Sequence, residues 1–176
     1  MSKTYQWKVE TSRGAESISG HQSPQPSFKR ILVAVDGSDN SIRAAKLAVE
    51  MGEKFGEELL VLHVIPTVHY AVSVTAPSAT LPPGVYEEYQ AFDKATGETL
   101  VRSAAELAKA AGVRVRSDVQ EPHGSIVEGI TDYALEEHVD LIVIGNRCLS
   151  GFKKLVIGSV SSGVLSHAHC PVLVVR

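Results

Sequence analysis

Five short segments rich in apolar, largely β-branched residues punctuate the chain: Ile31 to Val35, Leu59 to Ile65, Val113 to Val119, Leu141 to Ile144 and Val172 to Val175. Four are continuous or nearly so, the pattern of strands covered on both faces. The third alternates, with Val113, Val115, Ser117 and Val119 set against Arg114, Arg116 and Asp118, and is expected at a sheet edge with one wetter face. Between these segments the period is helical. Ser38 or Asp39 caps the first helix, whose Ala44, Ala45, Ala48, Met51 and Phe55 recur at three- and four-residue spacing before Gly56 ends it as a C-cap. The second spans Glu87 to Ala111, with Tyr89, Phe92, Leu100, Leu107 and Ala111 expected on its inner stripe and Gly112 as its stop. Ser125 and Glu128 form a capping box for the third, whose buried face reads as Ile126, Ile130, Ala134 and Leu135. The fourth opens at Gly158-Ser159.

Strands joined by helices build right-handed βαβ units, so the sheet is expected to be parallel. Five strands alternating with four helices predict a doubly wound, Rossmann-like α/β sandwich with helices on both faces. Ligands of such sheets sit beyond the C-terminal ends of the strands, where the strand order reverses. Two segments stand apart from this pattern. Residues 1–27, rich in Ser, Gln, Gly and Pro, keep no sustained period and read as a flexible N-terminal tail before a domain over residues 28–176. The alternation of Tyr5-Gln6-Trp7-Lys8-Val9 would also suit a strand added at a sheet edge. Thr67 to Gly84 is long for a connection and suits a surface excursion, a lid or a dimer contact.

At 176 residues, 44% hydrophobic and 21% charged, the chain can bury one sizeable core. A formal net charge of −3 leaves no basic footprint for nucleic acid. No apolar run approaches the ~18 residues a membrane helix needs, and no basic segment leads into an apolar one at the N-terminus. The expectation is therefore a cytoplasmic protein with no membrane contact. The two cysteines, Cys148 and Cys170, make no disulfide framework. His167, His169 and Cys170 are closely spaced, but without a second cluster they suit the polar end of a helix better than a metal, and no metal site is expected.

Candidate chemistry concentrates between Asp140 and Val175. A buried strand, a glycine-bearing loop and a helix opening at Gly158 present unpaired N–H groups and the positive end of a helix dipole, an outline that suits a phosphate. Glycines there also serve plain turns. The spacing resembles the signature of the universal stress protein family, Gly-x2-Gly-x9-Gly-Ser/Thr, with Gly145 as its first glycine and Gly158-Ser159 as its last pair. Cys148 stands where the second glycine belongs. Ile31-Leu32-Val33-Ala34-Val35-Asp36-Gly37-Ser38 resembles the family's first strand, and His167 to Val175 its ending. The resemblance runs over residues 28–176.

That resemblance implies strand order 3-2-1-4-5, a crevice between the first and fourth strands, and an adenine nucleotide in it, ATP with Mg2+ foremost. Asp36 would accept from a ribose hydroxyl or an adenine amine, or it is a turn residue holding the Gly37-Ser38 backbone. Ala34, Val35 and Val64 would line the base, and Gly145, following Ile144, would let the backbone approach the ligand. Gly158, Ser159, Val160 and Ser161 would take phosphate oxygens, with Ser159 equally suited to a plain N-cap. Arg147, Lys153 and Lys154 form either a solvated face or a reach toward the γ-phosphate. At Cys148 a Cβ would cost about 1 kcal/mol if positive φ is needed, and its sulfur would crowd a phosphate. The thiol also lies beside a helix start, which favours thiolate. The competing reading is a nucleotide-independent dimeric scaffold or interaction module, with Cys148 blocking the phosphate loop and a protein partner on Thr67 to Gly84 or the tail. With no P-loop, dinucleotide turn or nucleophile elbow, no enzyme is expected beyond slow ATP hydrolysis. Val172 to Val175 is an apolar edge, and the resemblance implies a homodimer paired antiparallel through it.

Overall fold

Ile31, Leu32 and Val33 are fully buried at the centre of β1 (Phe28–Ala34), which is the middle strand of a five-stranded sheet. The computed structural model describes residues 28–66, 85–121, 124–146 and 158–176. After β1 come α1 (Asp39–Phe55), β2 (Gly56–Val64), α2 (Val85–Ala110), β3 (Val115–Gln120), α3 (Ile126–Glu136), β4 (Leu141–Gly145), α4 (Ser159–His167) and β5 (Val172–Val175). The strands lie in the order β3-β2-β1-β4-β5 and every pairing is parallel, as expected. Val33 of β1 stands in register with Val61 of β2 on one side and Val143 of β4 on the other. The alternating strand β3 is at one edge and β5 at the other.

A pleated strand sends successive side chains to opposite faces. Ile31 and Val33 join Leu59, Val61 and Val143 under α1 and α2, while Leu32 joins Leu60, Leu62, Ile142 and Ile144 under α3 and α4. Two cores therefore share one sheet, and the central strands must be apolar on both faces, which is why they read as continuous runs. Among the described residues no helix is long and apolar enough to cross a membrane. The tail 1–27 and the segment Thr67 to Gly84 lie outside the described residues.

The helix ends follow their caps. Ser38 caps α1, its hydroxyl accepting from Ser41 N–H at 3.2 Å. The capping box at α3 is complete: Ser125 Oγ accepts from Glu128 N–H, and the Glu128 carboxylate accepts from Ser125 N–H. Gly112 closes the end of α2 with φ 75°. Gly56 does end α1, but in extended conformation, and it is already the first residue of β2.

The buried stripes differ from expectation in three helices. In α2 the inner stripe is not the large residues: Phe92 is 70% and Leu107 40% exposed, Ala111 lies exposed beyond the helix, and only Leu100 packs in part against the core. Gly97, Val101, Ala105 and Ala108 face the sheet instead. Small residues win because they let the helix approach closely; a Cβ on Gly97 would run into the His63 ring. The side chain of Tyr89 lies outside the described residues. In α3 Leu135 is 58% exposed and Tyr133 fills the place expected for it. In α1 the buried face carries Ser41, Val49 and Gly52 beside the expected alanines, and Met51 and Phe55 are only partly covered.

Charged residues gather at the other end of the sheet, away from the strand C-termini. Glu58 pairs with Arg30 at 3.1 Å and with Arg116 at 3.4 Å, and Glu137 bonds Arg116 as well. The hydrogen bond from Arg116 holds the Glu137 carboxyl below its usual range.

The close seat of α2 makes a specific demand. Gly97→Ala is expected to lower stability by about 1–3 kcal/mol through overpacking against His63. A urea denaturation midpoint equal to that of wild type would show that α2 has room to spare.

Candidate functional site

The strand order reverses between β1, which leads away to β2, and β4, which leads away to β5. Their C-terminal ends mark the topological switch point, the ligand position of open α/β sheets.

On the β1 side the backbone is tied before it turns. Val35 N–H donates to Leu62 O at 2.9 Å, and His63 Nδ1 donates to the Val35 carbonyl at 2.8 Å. Asp36 follows, exposed, with Oδ1 accepting from Ser38 N–H at 3.0 Å. The turn role read for Asp36 is therefore present. Gly37 takes φ 79°, a conformation that favours glycine. Ser41, 3% exposed, donates its hydroxyl to Ser38 O at 2.9 Å and faces Asp36 N–H at 3.4 Å. Ala34 is half-buried, and Val35, Val64 and Ile144 are buried around the strand ends.

On the β4 side Gly145 has a packing reason of its own. A Cβ there would lie 2.6 Å from Asn40 C and Ser41 N, so the first turn of α1 occupies the space a side chain would need. The next residue, Asn146, is only 1% exposed. Its backbone N–H donates to Val175 O at 2.7 Å, its carbonyl accepts from Asn40 Nδ2, and its Oδ1 accepts from Gly158 N–H at 2.7 Å.

Gly158 is the N-cap of α4 and offers no side-chain cap. Its carbonyl accepts from Ser161 Oγ at 3.1 Å and from Ser162 N–H at 2.8 Å. Ser161 is 2% exposed, so its hydroxyl is committed inward. Ser159 is exposed at the helix start and is not the cap, while Val160 packs in part against the core under α3 and α4. Among the described residues no side chain caps the N–H groups in the first turn of α4, which lie at the positive end of the helix dipole.

The structure brings Ala34, Val35, Asp36, Ile144, Gly145, Gly158, Ser159, Val160 and Ser161 to the ends of β1 and β4 and the start of α4, with Val64 at the end of the neighbouring strand β2. Arg147, Cys148, Lys153 and Lys154 lie outside the described residues. His167 sits in the last turn of α4 with Nδ1 2.8 Å from Gly163 O, and the described residues hold no cluster of His, Cys, Asp and Glu that could bind a metal. Burial pushes the Cys170 thiol above its ordinary range. Sequence reasoning missed Asn40, His63 and Asn146. The available signal for Asn146 was an amide side chain directly after an all-apolar strand and its glycine, a place where short polar side chains bond backbone groups.

Sheet order and reversal crevice define a doubly wound α/β protein of Rossmann-like type. The model of the universal stress protein family matches residues 27–176. The chain is 31% identical over 150 residues to a universal stress protein of Methanocaldococcus jannaschii, covering 85% of this chain and 82% of that one. It is 35% identical over 149 residues to the universal stress protein YxiE of Bacillus subtilis, covering 85% and 99%. This chain belongs to the universal stress protein family. Solved structures share its fold: the universal stress protein UspA from Lactobacillus plantarum, 24% identical with TM-score 0.68 over 85% of this chain and 99% of that one; the universal stress protein from Archaeoglobus fulgidus in complex with dAMP, 22% and 0.62 over 85% and 98%; and a family protein from Arabidopsis thaliana with AMP bound, 22% and 0.58 over 83% and 90%.

Gly145→Ala places a methyl group against the α1 backbone. It is expected to cost about 1–3 kcal/mol in a urea titration. An unchanged midpoint would mean that β4 and α1 can part without loss.

Proposed function

We propose that this universal stress protein binds an adenine nucleotide, ATP with Mg2+ foremost, in the crevice between β1 and β4. One observation carries the reading: the exposed Asp36 carboxylate and the first turn of α4, which no described side chain caps, border the same reversal point of the sheet. A helix start with open N–H groups accepts phosphate oxygens, and a carboxylate accepts from sugar hydroxyls or a base amine. Ser159, exposed, adds a hydroxyl on the phosphate side. The apolar Ala34, Val35, Val64 and Ile144 line the base side, and Arg147 would meet the phosphates with positive charge. A bound magnesium ion would neutralise part of the phosphate charge. The A. fulgidus and Arabidopsis relatives, with dAMP and AMP bound, support the ligand class.

The role is binding in a stress response in the cytoplasm, not turnover. The carboxylate at the crevice has Oδ1 engaged by Ser38 N–H, which suits holding a ligand more than activating water. Calorimetric titration of Mg-ATP and of AMP is expected to show micromolar binding to wild type. Asp36→Ala should weaken it about tenfold, the scale of one hydrogen bond to a charged group. Cys148→Gly should bind at least as tightly as wild type. Silence of both wild type and Cys148→Gly would end the nucleotide reading; binding by Cys148→Gly alone would assign Cys148 as a block on an intact site.

We also propose a homodimer built by antiparallel pairing of β5 strands. β5 is an edge strand of four apolar residues, each half-buried, whereas the other edge, β3, carries Arg116 and Asp118. An apolar edge without charged guards recruits another strand. Light scattering at micromolar concentration should give twice the chain mass, and a monomer throughout would overturn the proposal.

A further inference from the structure

Gly158 is where the chain enters α4, on the phosphate side of the proposed site. A residue without Cβ has wide backbone freedom, so something besides its own sterics must fix where α4 starts. Its carbonyl is held within its own helix by Ser161 and Ser162. Its N–H is held from outside, by Asn146 Oδ1 at 2.7 Å. Through its backbone carbonyl Asn146 also holds Asn40, in the first turn of α1. The neighbouring Ser41 faces Asp36 N–H. One buried residue thus braces both walls of the crevice, although its side chain sits 1% exposed behind them. Burying an amide is unfavourable unless its polar atoms are bonded, so packing alone does not call for asparagine at the end of an apolar strand.

We propose that Asn146 is the positioning residue of the phosphate subsite: without touching the ligand, it sets the first turn of α4 against the β1–α1 turn so that the Ser159 and Val160 N–H groups converge on a phosphate. The proposal rests on the nucleotide reading above and divides its labour. Recognition of the phosphate depends on Asn146, and recognition of the nucleoside does not.

The experiment titrates AMP and adenosine into wild type, Asn146→Ala and Asn146→Asp, and follows amide hydrogen exchange in the first turn of α4 without ligand. In Asn146→Ala, AMP affinity is expected to fall about tenfold while adenosine stays within about twofold. The Ser159 and Val160 amides should exchange faster as the turn frays. Asn146→Asp keeps the acceptor for Gly158 N–H. An ionised carboxylate there would face the phosphate, so relative to wild type the variant's AMP affinity should be weaker near pH 8 than near pH 5, with adenosine affinity unchanged between the two. That pH profile also decides the matter if Asn146→Ala does not fold. Equal loss of AMP and adenosine, or unchanged AMP affinity, in a folded Asn146→Ala overturns this proposal alone. A wild type that binds neither ligand overturns the nucleotide reading and this proposal together.

Discussion

β1 is enclosed on all four sides, and the rest of the molecule is arranged to keep it so. It has β2 and β4 as hydrogen-bonded neighbours and a helix layer over each face. Such a strand can hold no polar side chain in its middle without stranding it in the core. Ile31, Leu32 and Val33 are all fully buried for that reason. The same enclosure ends abruptly at its C-terminus, where the two neighbouring strands lead to opposite edges of the sheet. Polar chemistry enters the structure at that break, with Asp36 exposed two residues after the strand ends.

Close approach is the second constraint, and it depends on absent side chains. α2 sits on the His63 ring because residue 97 is glycine, and the start of α1 sits on β4 because residue 145 is glycine. Each contact joins elements far apart in sequence. Together they draw the helices inward and fix the β1–α1 turn against the end of β4, so the geometry of the crevice follows from packing as much as from the residues that would meet a ligand.

This explains what the sequence disclosed and what it withheld. Continuous apolar runs disclosed the central strands because enclosure on both faces leaves a one-dimensional mark. The Ser125 and Glu128 box disclosed the start of α3 because a cap is a local bond. The phase of α2 was misread because size was taken for burial: Phe92 and Leu107 are larger than Gly97, Ala105 and Ala108, yet the close seat on the sheet selects the smaller residues. The glycine spacing pointed to residues 145 and 158, but not to the reason for the first. The bond from Asn40 to the Asn146 carbonyl crosses 106 positions, and no window of local period can register it. Asp36 and the α4 start were legible as candidates, whereas the brace between them was not.

The choice of asparagine for that brace follows from what stands on either side of it. The position needs an acceptor for Gly158 N–H, buried beside the start of α4. Lysine and arginine offer no acceptor. Aspartate would accept, but its charged form would be buried at a cost and would lie on the phosphate side of the crevice. Serine carries its oxygen one atom nearer the backbone and would leave Gly158 short of a partner. The neutral amide alone accepts the bond without adding charge, so the helix dipole of α4 keeps its positive end for whatever anion approaches. Its backbone N–H meanwhile bonds Val175 at the end of β5, so the brace behind the crevice and the sheet edge that would pair with a second copy are held by the same residue.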